Sequence, residues 1–153
     1  MAINPNTDFS AGAVLLASQM NRFPRGVMAY NTVTASDASI TVEEVQITGS
    51  SFTAVANRYY RITYFEPQLV STVAGVATLN IRQTNISGTI LNSATCSITT
   101  VNQTSSEVIA IATFSAGTQN VVGTLAFTAG TGSASRIAST RVSFLLVEDI
   151  GPA

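Results

Sequence analysis

Arg58-Tyr59-Tyr60-Arg61-Ile62-Thr63-Tyr64-Phe65-Glu66 is the most strand-like run in the chain. Aromatic and β-branched residues fill it, and Pro67 is expected to stop it, because proline cannot donate to a sheet ladder. Side chains alternate along a strand, so Tyr60, Ile62 and Tyr64 share one face while Tyr59, Arg61 and Thr63 share the other. A strand with one apolar face needs a second layer to cover it. The remaining sequence supplies strands for those two layers.

Working outward, Gly26 to Val33 reads as a first strand. Ser39 to Thr48 reads as a second, with Val42, Val45 and Ile47 as its apolar set and a bulge at Glu43-Glu44. Gly49-Ser50-Ser51 turns the chain, and Phe52 to Asn57 leads into the central strand. Val76 to Thr84 alternates, with Ala77, Leu79 and Ile81 inward and Thr78, Asn80 and Arg82 outward. Asn85-Ile86-Ser87-Gly88 is a hairpin turn into Thr89 to Thr99, where Ala94, Cys96 and Ile98 share a face. Glu107 to Ser115 is a nearly continuous apolar run, Ala116-Gly117-Thr118 turns, and Val121 to Thr128 is the next strand. Ala129 to Ser139 is a small-residue loop before a last strand, Arg141 to Val147.

Some eight strands at this spacing leave no room for parallel crossovers, which need a dozen or more connecting residues. The expected fold is all-β: an antiparallel two-sheet sandwich, jelly-roll-like or Greek-key in winding, with a closed barrel as the alternative. Residues 1–25 have a different texture and are expected to form an extended N-terminal arm, with 26–153 as the β-sandwich domain. Ser10 or Ser18 could cap a short helical turn there, and Pro24 forbids extending it. Phe9, Val14, Leu15, Leu16, Met20 and Phe23 are more large apolar groups than so short a segment can bury alone. They pack either on their own domain or on another subunit.

Composition narrows the function. Charged residues make up only 10% of the chain, against roughly 25% in ordinary soluble domains. So few charges protect a solitary molecule poorly against association. All seven cations are arginine, a residue suited to fixed contacts at interfaces. The net charge of −1 with no basic block argues against nucleic-acid binding. The start lacks a basic segment followed by a long apolar core, so synthesis in the cytoplasm is expected. No window has the roughly 18 apolar residues of a membrane helix, so no membrane partner is expected.

The chain contains neither histidine nor lysine. Ser-His-Asp, Cys-His and Ser-Lys arrangements are therefore impossible within it, as are the commonest zinc sites. Cys96 is the sole cysteine and lies mid-pattern beside Ile98, where a buried apolar thiol is expected. The carboxylates lie singly or as adjacent pairs such as Glu148-Asp149, which reads as a solvated strand end. Catalytic residues, cofactors and bound metals are expected to be none.

Three stretches together resemble a known family. They are Phe9-Ser10-Ala11-Gly12-Ala13-Val14-Leu15-Leu16-Ala17-Ser18-Gln19-Met20-Asn21 with Phe23-Pro24-Arg25-Gly26; Phe52 to Tyr64 ahead of Ala77-Thr78-Leu79-Asn80-Ile81-Arg82; and the closing Leu145-Leu146-Val147-Glu148-Asp149-Ile150-Gly151-Pro152. The chain resembles small structural proteins of tailed bacteriophages, labelled virion or minor tail proteins. Its middle is similar in pattern to trimeric jelly-roll domains of the tumour-necrosis-factor and complement type. The resemblance implies a place in the virion; with the low charge, the apolar arm and the all-β pattern, the expected role is a non-enzymatic capsid decoration, or cement, protein on the outer surface of the head. It is expected to be a homotrimer, with the arm from Asn4 to Phe23 fastened to the major capsid protein or to a neighbouring subunit. The alternative is a tail or fibre component that binds a host surface glycan through Tyr59, Arg61 and the loop from Ala129 to Ser139.

Overall fold

The computed structural model describes residues 12, 14, 16–100 and 103–153. Among them are one helical turn, α1 (Ala17–Met20), and twelve strands. The strands are β1 (Gly26–Val33), β2 (Asp37–Ile40), β3 (Glu44–Thr48), β4 (Phe52–Ala54), β5 (Arg58–Ser71) and β6 (Gly75–Gln83). They continue with β7 (Ile90–Ile98), β8 (Thr104–Ala112), β9 (Gly117–Gln119), β10 (Val121–Phe127), β11 (Gly132–Ala134) and β12 (Ser143–Pro152). The strand pairings are antiparallel.

Eight strands build two facing sheets, β1-β12-β5-β8 and β3-β10-β6-β7. Counting those eight in chain order, one sheet runs first-eighth-third-sixth and the other second-seventh-fourth-fifth. That winding is a jelly roll. β11 and β2 extend the first sheet along the far half of β5, and β4 pairs β9 in a separate ribbon.

Tyr60, Ile62 and Tyr64 face inward and are fully buried, as alternation requires. They meet Leu145 and Val147 of β12, Ala77, Leu79 and Ile81 of β6, and Leu125 of β10. Each such side chain stabilises the fold by about 1.5–3 kcal/mol. Gly123 lets the sheets approach: a Cβ there would lie 2.8 Å from the Tyr64 ring and from Ile47. Phe52, Tyr60 and Phe114 close one end, with ring centroids 5.5 to 5.6 Å apart. On the outer side of the first sheet, Phe65 stacks on Phe144 at 5.4 Å.

Several boundaries differ from expectation, each for a local reason. Pro67 does not end β5. The ladder to β8 slips between Glu66 and Leu69, so the proline occupies a bulge where its missing N–H breaks no ladder bond. Beyond it, β5 exchanges β12 for β11 as its neighbour. The stretch Ser39 to Thr48 is two strands, and Val42 and Val45 are exposed, leaving Ile47 in the core. The chain changes sheets between β2 and β3, and Glu43 at the crossing reaches Arg82 of the second sheet.

Phe52 to Ala54 and Gly117 to Gln119 form the ribbon rather than a lead-in and a turn. The supposed loop after Ala129 contains β11, whose small residues lie under an aromatic ring: a Cβ on Gly132 would come within 2.0 Å of Phe127. The last strand runs on to Pro152, because Asp149 is not a solvated end but a buried member of an ion pair. Cys96 is half-buried, packed against the core and unbridged. Ser18 lies within α1 rather than at its cap, and Ser10 lies outside the described residues.

Candidate functional site

The six arm residues singled out from the sequence divide in two. Phe9 and Leu15 lie outside the described residues. Val14, Leu16, Met20 and Phe23 are 87%, 62%, 52% and 38% exposed. Their turn is organised locally: the Leu16 N–H donates to Gln19 Oε1 at 2.9 Å, and Asn21 N–H closes back on the Ala17 carbonyl at 3.0 Å.

What roots this turn was not foreseen. Arg58, at the start of β5, is buried, and so is its partner Asp149 on β12. Arg58 Nε donates to Asp149 Oδ2 at 2.6 Å and Nη2 to Oδ1 at 2.7 Å. The same guanidinium donates from Nη1 to the Asn21 carbonyl and from Nη2 to the Phe23 carbonyl, the latter at 2.6 Å. Gly151 N–H adds a bond to Asp149 Oδ1 at 3.0 Å. Hydrogen bonding to Asp149 lifts the Arg58 pKa, against the effect of burial. One fork-shaped cation therefore ties the arm, β5 and β12 together, a role the point charge of lysine could not fill. The only legible signal was an arginine opening an apolar strand and an acid near the C-terminus.

Asn21, Arg25, Val55, Ala56, Asn57, Arg58 and Pro152 line a cleft of about 280 Å³ beside this root. Arg58 is committed to the clamp, so the cleft offers backbone, amide and aliphatic groups with Arg25 at its edge. Its lining contains no nucleophile–base pair and no pair of carboxylates. Among the described residues, no three of His, Cys, Asp and Glu gather as a metal site.

Two polar clusters bring together residues the sequence kept apart. Inside the sandwich, Glu66 Oε1 accepts from Tyr64 Oη at 2.6 Å, Arg136 Nη2 at 2.6 Å and Ser143 Oγ at 3.0 Å. Arg136 also donates to Glu66 Oε2, to the Ala35 carbonyl and to Gln46 Oε1. Burial, and then the Glu66 carboxylate, raise the Tyr64 hydroxyl well above its usual pKa. Perturbed groups mark functional sites when they lie in a cleft. Glu66 and Tyr64 are fully buried and Arg136 nearly so, with each donor engaged, and the cluster acts as a buried brace. On the outer face of the second sheet, Glu43 accepts from Arg82, Asn80 and Thr124. The Arg82 hydrogen bonds hold its carboxyl at about 2, with burial opposing and Thr124 and Asn80 assisting.

Tyr59 and Arg61 share an outward face as expected, but Arg61 is engaged by Glu148 through Nε and Nη2 at 2.8 and 2.6 Å.

No protein-family model and no curated protein sequence matches the chain. Solved structures similar to it include murine APRIL, at 10% identity over 82% of this chain and 100% of that one, with a TM-score of 0.47. The Eiger TNF of S. frugiperda is 12% identical over 86% of this chain and 94% of that one, with a TM-score of 0.46. The VP2 subviral particle of infectious bursal disease virus is 14% identical over 84% of this chain but only 33% of that one, with a TM-score of 0.47. By its own topology and site, the chain is an all-β jelly-roll protein carrying an anchored apolar N-terminal segment.

Proposed function

We propose that this chain is a non-enzymatic structural protein of a tailed-bacteriophage virion: a decoration protein that binds the major capsid protein on the outside of the head, as a homotrimer. The observation that carries the reading is the arm. Val14, Leu16, Met20 and Phe23 are exposed, yet the turn that bears the last three is pinned to the sandwich by Arg58. A large apolar group held in water on a rooted segment is poised to be covered by another chain. Burial on a capsid subunit stabilises the joint by about 25 cal/mol per Å² of apolar surface before the costs of association. A copy that bridges neighbouring capsomers resists their separation under the pressure of packaged DNA, and many copies multiply the effect. The low charge and the resemblance in Phe9 to Asn21 and Leu145 to Pro152 favour the same reading.

The glycan-binding alternative, a tail or fibre component, draws less support. Arg61 is committed to Glu148, and Arg136, in the segment expected to be a small-residue loop, is spent on Glu66.

Truncation tests the proposal. A cut through Phe23 would remove the carbonyls that satisfy the buried Arg58, so the cut belongs after Leu16. The shortened chain is expected to keep its strand circular dichroism and to lose co-sedimentation with undecorated heads. Full occupancy of heads by the shortened chain would refute an anchoring arm.

A further inference from the structure

The two outer faces of the sandwich differ in chemistry. On the second sheet the row Thr124-Asn80-Ser93 carries hydroxyl and amide groups and the Glu43–Arg82 ion pair adjoins it, with Val45 and Ile90 as exposed apolar groups at its margins. On the first sheet, register places Tyr30, Leu146, Thr63 and Ile109 side by side, with Val27 and Ile111 in the next row. Val27, Tyr30, Ile109 and Ile111 are each between 45% and 62% exposed. A single exposed isoleucine needs no explanation, but exposed apolar side chains in two adjacent rows of one sheet face, flanking the Arg61–Glu148 pair, do.

We propose that this face of the β1-β12-β5-β8 sheet is the surface through which copies of the chain pack on one another. Two observations favour a second copy as its occupant. The charges within these rows, Arg61 and Glu148, already neutralise each other at 2.6 Å, and Glu107 lies out on the edge strand β8. Glu107 is the one carboxylate left over, at the margin of the face, so the face meets its own copy with little like-charge repulsion and offers little charge to select a partner of opposite sign. Its extent also suffices. Four strands about 4.8 Å apart and some eight residues of roughly 3.3 Å each give a footprint of about 500 Å² before side-chain relief is added. That approaches the ~800 Å² each partner contributes to a standard interface.

The inference rests on self-association but not on head binding, and no heads enter its test. Sedimentation equilibrium and native mass spectrometry of the full chain are expected to give a defined multiple of 15.9 kDa. Ile111→Arg, or Ile109→Arg as a second variant, places an unpaired cation in the contact. Each is expected to raise the dissociation constant at least about thirtyfold with strand circular dichroism unchanged. Thr95→Arg, on the outer face of the opposite sheet, is expected to leave the assembly intact. A monomeric full chain would overturn the proposal, as would an oligomer that survives both isoleucine variants or that Thr95→Arg dissociates.

Discussion

Glu66 and Arg136 meet inside the sandwich, and Tyr64, Ser143, Gln46 and the Ala35 carbonyl complete their hydrogen-bonded cluster. A buried pair of this kind contributes little net stability, but removing one member leaves the other charged and stranded. Glu66→Gln is therefore expected to cost about 3–5 kcal/mol in urea denaturation. Glu66→Gln combined with Arg136→Met should recover part of that loss, which a double-mutant cycle measures. Glu43 makes the pH-dependent counterpart. Its carboxyl sits at about 2 in the fold against an ordinary 4.5. The fold binds that proton less readily than the unfolded chain, so the contribution is complete above the ordinary value and fades as pH falls through about 2. The melting-temperature gap between the wild type and Glu43→Gln is expected to be widest near neutrality and to close towards pH 2. A gap that widens on acidification would contradict the Arg82 contact as its source.

At the scale of elements, the arm and the strand ends depend on one residue. Arg58→Ala strands the buried Asp149 and frees the Asn21 and Phe23 carbonyls together. Limited trypsinolysis is expected to cut this variant after Arg22 or Arg25 faster than the wild type, and Arg58→Lys is expected to behave like the alanine variant. Equal cleavage in all three would show that the clamp does not root the arm. The central strands were legible because a period of two survives in their residues: Tyr60-Ile62-Tyr64 and Ala77-Leu79-Ile81 occupy the core as alternation requires. The short strands were not. β4, β9 and β11 are three residues each, too short to display a period. Their pairing is decided by a ring over Gly132 and by contacts distant in the chain. The ion pairs were hidden for the same reason, since Arg58 and Asp149 become neighbours only when β12 lies against β5.

At the scale of the molecule, the sequence disclosed that apolar surface outruns charge, and the structure places much of that surface along the arm and over one sheet, with Val42, Val73 and Ile90 among the groups exposed elsewhere. The jelly-roll winding places both on a rigid two-layer scaffold, with β1 paired to β12 so that the first and last strands lie together. Under the proposed function these two surfaces are adhesive, one towards a capsid and one towards copies of the chain. Cryo-electron microscopy of the intact particle that carries this chain tests that most directly. The account predicts jelly-roll density in clusters on the outer surface of the head, with the segment from Val14 to Phe23 against the major capsid protein. Density for the chain on the tail or its fibres, with bare heads, would contradict it.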